Sequence, residues 1–366
     1  MAYTTIDDPS AHHQTKTYTG TGSSGNAITN DGNSNLQPDL VWIKRRDYNN
    51  AHVVQDSTRG FDSGSARVIQ TDNEAVEGTN GAFVSFDTDG FEVGGTNATS
   101  GAYNASGEPF VAWQWKANGG TRSTFSESGG NPAGGYQANT TSKFSIVDYV
   151  GTSNAGNNTI AHGLGVVPKF IIIKDRDEER NWAVYHSSMA SDPETDNLEL
   201  NTDVAKADDA DYWNDTAPTS SVFSVKDAHD VNYNDRKYIA YLWAEVQGYS
   251  KFGKCVGNGS TNGPFVYTGF KPAYVLIKNA SQEGRWCIFD NKRPGNYNAD
   301  TADVLYANFN SAEYTGTDYF GVEFHSNGFK LTETDAEFND TGDTIVFAAF
   351  AVQPFVTSGG VPATAH

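Results

Sequence analysis

The sequence has very few cysteines and no long hydrophobic run. Cys255 and Cys287 are the only cysteines in 366 residues, too few to stabilise a chain of this length through disulfide bonds. We therefore expect both to be reduced, or at most to form one strained bond, in keeping with synthesis in a reducing cytoplasm. No segment approaches the roughly 20 apolar residues that span a bilayer, and the N-terminal residues lack the basic start and apolar run of a secretory signal. Membrane insertion is not expected.

Basic residues are also scarce. Lys and Arg together number 25 against 45 Asp and Glu, which gives a formal net charge of −20. A surface with this charge repels a phosphate backbone. We therefore do not expect nucleic acid among the partners of this protein.

Catalytic motifs are missing as well. The sequence contains no glycine-rich phosphate loop ending in Lys-Ser or Lys-Thr, no His-Glu-x-x-His and no Gly-x-Ser-x-Gly. The eight histidines do not have metal-ligand spacing. The Asp-rich segments 87–90, 175–179 and 208–211 lack the spaced ligands of a calcium loop. We expect neither an enzyme nor a bound metal or other cofactor.

Aromatic and turn-forming residues are abundant instead. Aromatic residues make up 13% of the chain, and there are 37 glycines. Aromatic and β-branched residues favour strands, whereas Gly, Asn and Asp favour tight turns. The pairs 89–90 (Asp-Gly) and 327–328 (Asn-Gly) lie between alternating apolar residues and predict β-hairpins. The composition therefore indicates many short strands joined by turns.

One pattern, a proline followed by five mostly apolar residues and a lysine, occurs three times. Its copies end at Lys44, Lys174 and Lys278. Other landmarks recur in the same order and with parallel offsets, so we predict one domain in three tandem copies with these lysines at equivalent positions. Each copy closes on an aromatic strand, at 110–115, 238–243 or 345–350.

These features predict an all-β fold of three tandem, jelly-roll-like β-sandwiches. Their most apolar strands carry bulky side chains on both faces, so we expect the outer face to be covered by loops, by another copy or by another subunit. The Gly-, Ser- and Asn-rich stretch between the first two copies predicts a linker or a long surface loop. The predicted parts are an N-terminal arm at 1–16, sandwiches at 17–120, 142–247 and 248–357, a linker at 121–141 and a C-terminal tail at 358–366.

Several strings of the sequence are specific enough to suggest a family. The segments YTGTG at 18–22, GLGVVPKFIIIK at 163–174 and SNGFKL at 326–331 resemble a repeated domain of uncharacterised function. That domain occurs in structural or tail-fibre-like proteins of marine bacteriophages. The resemblance covers nearly the whole chain from Tyr18 onward and implies a virion protein that is assembled in the host cytoplasm.

The resemblance and the repeats together lead us to expect a tail-associated or fibre-like virion structural protein. Its expected partners are other virion proteins and a host-surface glycan, because tandem sandwiches multiply binding area without new chemistry. One alternative is a capsid decoration or cement protein. A second is a glycan-degrading virion enzyme, which would need a paired acidic site that the sequence does not show. The oligomeric state, including a homo-oligomer, stays open.

An aromatic pair is the first candidate for a partner contact. Tyr212 and Trp213 lie in the acidic loop of the second copy, outside the recurring strand positions. Aromatic rings stack on sugars and on partner surfaces. We therefore expect these two side chains to contact a glycan or a partner protein.

The N-terminal arm is the second candidate. It contains Asp7, Asp8, His12 and His13 and has no counterpart before the other copies. A polar terminus is ordered only when a surface holds it. We predict that this arm is part of a docking interface with another virion subunit and that the later copies project away from it.

Overall fold

The computed structural model describes residues 3–156, 158–293, 303–316 and 321–363. The described chain is all-β, as expected, with short helices at Ala210–Trp213 (α1), His229–Asn232 (α2) and Ala336–Asn339 (α3) and short 3-10 turns at Pro9–Ala11 and Pro193–Thr195. None of the described helices is long and apolar enough to cross a membrane. Parts of the predicted arm, second and third sandwiches and tail lie outside the described residues, namely 1–2, 157, 294–302, 317–320 and 364–366.

The first large sheet, here called the N-terminal sheet, has the strand order β1-β10-β3-β4-β6-β5, with β7 paired to β6. A small sheet with the order β2-β9-β8 belongs to the same part of the chain. The strands are β1 (His13–Thr19), β2 (Asn26–Ile28), β3 (Leu40–Arg45), β4 (Val53–Asp56), β5 (Phe61–Asp62), β6 (Ser65–Gln70), β7 (Gly78–Asn80), β8 (Phe83–Asp87), β9 (Gly90–Val93) and β10 (Pro109–Trp115).

The second large sheet, the middle sheet, has the order β11-β12-β13-β20-β15-β16-β17-β18. Its small companion pairs β14 with β19. The strands are β11 (Ser123–Phe125), β12 (Ala133–Asn139), β13 (Phe144–Val150), β14 (Asn158–Ala161), β15 (Phe170–Asp175), β16 (Ala183–His186), β17 (Asp196–Glu199), β18 (Ala207–Asp208), β19 (Val222–Val225) and β20 (Lys237–Trp243).

The third large sheet, the C-terminal sheet, has the order β21-β28-β23-β24-β25, and its small companion has the order β22-β27-β26. The predicted Asn-Gly hairpin joins β26 to β27, just as the Asp-Gly hairpin joins β8 to β9. The strands are β21 (Ser250–Val256), β22 (Phe265–Tyr267), β23 (Phe270–Asn279), β24 (Cys287–Asp290), β25 (Leu305–Tyr306), β26 (Val322–His325), β27 (Gly328–Leu331) and β28 (Thr344–Pro354).

The large sheets are buried on both faces, which confirms the expectation drawn from their apolar strands. In β3, Val41 and Ile43 pack with the small sheet, while Leu40 and Trp42 point the other way into a different core. Side chains of all three large sheets meet in that second core, here called the shared core. Alternation of side chains along a strand produces this division.

The closing strands β10, β20 and β28 meet at the centre of the shared core. The Trp115 ring lies edge-on to Trp243 at 5.9 Å and to Phe350 at 5.5 Å between centroids. Such edge-to-face contacts add to the apolar area that the rings bury. A gap of only about 20 Å³ remains between the surrounding side chains, so the shared core is closely packed.

The register of the central strand pairs is the same in the three large sheets. Lys44 lies opposite the second residue of the closing-strand segment 110–115. Lys174 and Lys278 lie opposite the second residues of 238–243 and 345–350. The three lysines therefore hold matching positions within their sheets, as the sequence pattern predicted.

Two predicted boundaries are wrong. The stretch 121–141 is not a linker, because β11 and β12 lie within it and β12 pairs with β13 along its whole length. The arm is shorter than 1–16, because β1 already begins at His13 and pairs with β10. In both places backbone hydrogen bonds to a neighbouring strand outweigh a composition that favours loops.

The two cysteines are free, as predicted. Cys287 is buried and Cys255 is partly buried. Burial raises the pKa of the Cys255 thiol to about 12. The thiol therefore stays protonated at neutral pH and is a poor nucleophile.

Candidate functional site

Buried hydrogen bonds join the large sheets to one another. The Trp113 indole of the N-terminal sheet donates from Nε1 to Oδ2 of Asp290 in the C-terminal sheet at 3.0 Å. The Tyr241 hydroxyl of the middle sheet donates to Oδ2 of Asp56 in the N-terminal sheet at 2.7 Å. Each aspartate also pairs with an arginine three residues later, Arg293 or Arg59. These carboxylates are therefore fully engaged in holding sheets together.

The junction between the middle and C-terminal sheets uses a histidine in place of the aspartate. Nδ1 of His186 accepts the N–H of Ser188, so Nε2 carries the proton and donates to the Phe347 carbonyl at 3.0 Å. Burial lowers the pKa of His186 to about 4. The ring is therefore neutral at pH 7 and suits a junction where no carboxylate is available.

A glutamate links arginines at each of the two junctions that the N-terminal sheet makes, one with the middle sheet and one with the C-terminal sheet. Glu77 bonds to Arg59 of its own sheet and to Arg176 of the middle sheet, with Arg176 Nη2 at 2.8 Å. Burial would raise the pKa of Glu77, but the hydrogen bonds and charges of Arg176 and Arg59 outweigh it and hold the value at about 2. At the other junction Glu313 bonds to Arg293 and to Arg46 of the N-terminal sheet.

The three matching lysines are buried, and each donates hydrogen bonds to backbone carbonyls. Lys174 Nζ donates to Glu74 O, in the N-terminal part of the chain, at 3.0 Å. Lys278 Nζ donates to Asp203 O, in the middle part, at 3.0 Å. Lys44 Nζ donates to carbonyls of its own turn. Burial lowers the pKa of each lysine to about 8.

Tyr212 and Trp213, predicted to contact a glycan or a partner, are buried. Trp213 is only 1% exposed and packs edge-on against Tyr185 at 5.7 Å. The Tyr212 hydroxyl donates to Asp230 at 2.6 Å. Both residues lie in α1, whose turn folds them inward. Neither ring face is free to stack on a ligand, so this prediction is corrected.

The arm is held by its own chain. The Asp8 carboxylate accepts hydrogen bonds from Ser10 and Ser34, and Asp7 accepts the backbone N–H of Ser358 at 2.6 Å. Tyr3 donates to the carbonyl of Gly269 in the C-terminal part of the chain. These contacts account for the order of the arm, and they correct the expectation that later parts project away from it.

The two arm histidines also face inward. His12 lies edge-on to Tyr249 at 5.9 Å, and burial lowers its pKa. His13 is the first residue of β1 and lies against Trp115 and Phe350, with ring centroids at 4.8 and 5.1 Å. Burial lowers the pKa of His13 to about 3. His13 therefore belongs to the shared core, and a docking role of the arm stays a prediction.

A cleft lies between β1 and the C-terminal sheet. It holds a cavity of about 170 Å³. On one side it is bounded by β1 and the loop 31–33, and on the other by residues of the C-terminal part. A second cavity adjoins it and shares Asn33, Asn291 and Val352. The residues that line the cavity include His13, Thr15, Asp31, Asn291 and Lys292.

An ion pair crosses the cleft. Asp31 accepts from Lys16 at 3.1 Å and from Lys292, on the opposite wall, at 2.9 Å. Partial burial raises the pKa of Asp31, but the bonds to Lys292 and Lys16 outweigh this and lower it overall. Buried Thr15 Oγ1 has no hydrogen-bond partner within the described residues. Sequence reasoning missed the cleft because its walls come from opposite ends of the chain.

Comparison with known families finds a match over most of the chain. The family model described as "Domain of unknown function (DUF7483)" matches residues 8–354. The chain belongs to the DUF7483 family. No match was found among curated proteins or among solved structures. The DUF7483 match spans all three large sheets and the cleft as one unit.

The acidic side chains at the sheet junctions of this DUF7483 chain are paired with arginines. Asp56, Asp290, Glu77 and Glu313 are each occupied by arginines. Within the described residues no group of three or more His, Cys, Asp or Glu side chains is arranged to hold a metal ion. The cleft offers charged and amide groups beside an edge of β1 that no described strand pairs with, which suits recognition of a polar partner.

Proposed function

We propose that this DUF7483 chain is a structural protein of a bacteriophage particle, tail-associated or fibre-like, that is built from three tandem β-sandwich repeats. The resemblance of sequence strings such as GLGVVPKFIIIK at 163–174 to a domain of phage structural proteins supports the virion assignment. The matching strand orders β1-β10-β3-β4, β13-β20-β15-β16 and β21-β28-β23-β24 support the repeats. In this proposal the repeats are bound side by side and do not form a flexible string.

The observation that carries the proposal is the shared core. Each large sheet contributes aromatic or aliphatic side chains to it, such as Trp42, Ile172 and Leu276. A chain built in this way resists local opening, because exposing one sheet uncovers apolar surface on the other two. Rigidity of this kind suits a component of a particle that must survive outside the cell.

Receptor binding would need exposed aromatic rings other than Tyr212 and Trp213. Phe265 and Tyr267 are 48% and 49% exposed and are two residues apart on β22, so they lie on the same face of the strand. Lys251 Nζ lies 5.6 Å from the Tyr267 ring. This pair is the platform that we propose for stacking on a host-surface glycan.

Locating the chain in purified particles tests the proposal. The phage whose genome encodes the chain would be purified, and the chain would be labelled with a gold-conjugated antibody for electron microscopy. We expect label on the tail. Label spread over the capsid would replace the tail assignment with a decoration or cement role, and absence of the chain from the particles would overturn the virion assignment.

A further inference from the structure

The outer edges of β1 and β13 differ in one respect. Both strands pair with a closing strand, with Thr15 opposite Trp113 and Ile146 opposite Tyr241. Trp113 and Tyr241 each make the junction hydrogen bond to an aspartate, so Thr15 and Ile146 are counterparts. The outer edge of β13 is covered by β12, whereas β1 is the last strand of its sheet within the described residues.

The strand β12 fills the junction between the middle and N-terminal sheets. Its Gln137 lies opposite Ile146 in the ladder. The side-chain Nε2 of Gln137 donates to Ser57 Oγ at 2.8 Å and to Thr58 Oγ1 at 2.6 Å, and its Oε1 accepts the N–H of Gly120 at 2.9 Å. One amide side chain therefore joins the added strand to the turn that follows Asp56.

The cleft lies at the junction between the N-terminal and C-terminal sheets, in the position that corresponds to β12. Ser57 and Thr58 follow Asp56, and Asn291 and Lys292 follow Asp290 in the same way. Asn291 and Lys292 line the cavity beside β1. At the junction between the N-terminal and C-terminal sheets, the cavity thus takes the position that β12 and Gln137 fill at the junction between the middle and N-terminal sheets.

The backbone of β1 is ready to accept a strand. Gly20 donates to Glu108 O and Lys116 donates to His12 O, so the even-numbered residues of β1 face β10. In an antiparallel ladder the alternate residues then point their N–H and C=O groups to the other edge. For His13, Thr15 and Thr17 no backbone hydrogen bond reaches that edge from any described residue.

We propose that this cleft binds one extended polypeptide segment of another protein, which adds antiparallel to β1 as β12 adds to β13. The segment resembles 133–139 (AGGYQAN) in chemistry: uncharged, with small residues and with an amide side chain opposite Thr15. That amide reaches Asn291 and Lys292. The backbone ladder supplies affinity and the amide supplies selectivity, as in other cases of strand addition.

The bridge between Asp31 and Lys292 is no barrier to this entry. Their side chains are 47% and 35% exposed, and solvent screens an ion pair this exposed, so breaking it costs little stability. A second copy of the chain is a poorer occupant, because its own β12 is already paired. The proposal does not depend on the virion assignment, since any protein with such a segment would serve.

A synthetic peptide of residues 131–141 serves as the probe for the intact chain. Binding would be measured by fluorescence anisotropy of the labelled peptide and by hydrogen exchange of the chain. We expect saturable binding with a Kd below about 1 mM and slower exchange of the Thr15 and Thr17 amides. A peptide of the same composition in scrambled order should bind at least about tenfold more weakly, a difference of about 1.4 kcal/mol.

Two proline variants separate this edge from others. Thr15→Pro removes an N–H that the sheet does not use, which edge strands tolerate, and it should weaken peptide binding at least about tenfold. Lys254→Pro makes the same change on β21. Because Gly257 N donates to Asp343 O, the odd-numbered residues of β21 face β28 and the N–H of Lys254 points to the outer edge. This control should leave peptide binding unchanged. Melting temperatures would confirm that both variants fold.

Three results would overturn the proposal. One is no peptide binding by the wild-type chain up to several times the expected Kd, with no change in exchange at Thr15 and Thr17. Another is protection of a different edge, such as β21. The third is protection of Thr15 and Thr17 by neutral or uronate oligosaccharides and not by the peptide, which would make the cleft a glycan site. If Thr15→Pro fails to fold, the exchange data on the wild-type chain still decide.

Discussion

Trp113 and Asp290 are 177 positions apart in the sequence and are joined by a buried hydrogen bond of 3.0 Å from the indole Nε1 to the carboxylate. Arg293 binds the same carboxylate at 2.7 Å and places its guanidinium 5.8 Å from the Trp113 ring. Removing the indole donor would leave a buried acceptor with one partner fewer. The stability of the C-terminal sheet is therefore tied to a residue of the N-terminal sheet.

Trp113→Phe tests how much the hydrogen bond to Asp290 contributes to stability. Loss of the donor to buried Asp290 should lower the free energy of unfolding by about 1–3 kcal/mol beyond the loss of packing. Trp115→Phe is the matched control, because Trp115 is also buried in the shared core but its Nε1 has no hydrogen-bond partner within the described residues. Urea unfolding of the two variants gives the comparison. Equal destabilisation would show that the hydrogen bond to Asp290 contributes nothing.

The buried lysines predict a dependence of stability on alkaline pH. The pKa of Lys278 is about 8 in the folded chain and 10.5 when unperturbed, with burial as the cause. Between pH 8 and pH 10.5 Lys278 is protonated in the unfolded chain but largely neutral in the folded chain. The free energy of unfolding that this site contributes therefore increases as the pH rises from 8 toward 10.5. Lys278→Met should lose that gain, whereas Lys237→Met, at a side chain that is 61% exposed, should keep it. Urea unfolding at pH 7.5, 8.5 and 9.5 measures both, and identical pH dependence in Lys278→Met and the wild type would contradict the prediction.

His186 predicts a dependence on acid pH. Burial lowers its pKa from 6.5 to about 4. Because the folded pKa is depressed, the stability that the neutral ring provides is present above pH 6.5 and is lost as the pH falls toward 4. The loss amounts to roughly 3 kcal/mol at the lower limit. His186→Gln keeps a donor for Phe347 O but cannot titrate, so its advantage over the wild type should grow on acidification. The same change at exposed His229 should have no such effect, and a pH-independent difference for His186→Gln would refute the argument.

The aromatic pair on β22 predicts a loss of glycan binding without a loss of stability. Phe265→Ser combined with Tyr267→Ser removes two half-exposed rings, so the melting temperature should stay within a few degrees of the wild type. Retention on a column of host-surface polysaccharide should fall at least about tenfold, since stacking contributes about 1–3 kcal/mol per ring at comparable sites. Phe61→Ser changes another exposed ring, on β5, and should leave retention unchanged. Undiminished retention of the double variant would exclude this platform.

The fold class and the central register could be predicted because they depend on local patterns. The apolar strands ending in Lys44, Lys174 and Lys278 are continuous in sequence, and alternation along them fixes which faces are buried. The free cysteines were predicted as well, because two thiols in a chain of this size rarely form its framework. The same apolar strands also indicated that both faces are covered, although not what covers them.

The errors arise where tertiary contacts outweigh composition. The segment 121–141 has the glycines and serines of a linker, yet Gln137 and its neighbours gain a full ladder by pairing with β13. Trp213 lies among aspartates that suggest an exposed loop, but the short helix α1 turns it into the shared core. The cleft could not be predicted, because Thr15 and Asn291 come together only after the three large sheets have assembled.

Calorimetry of the full chain tests most directly whether the three large sheets form one body around the shared core. We predict a single transition in which the calorimetric and van't Hoff enthalpies agree, with a ratio of about 1. Trp113→Phe should shift that whole transition and not a part of it. Separate transitions, or a ratio of about 3 as expected for independently unfolding sandwiches, would contradict the account.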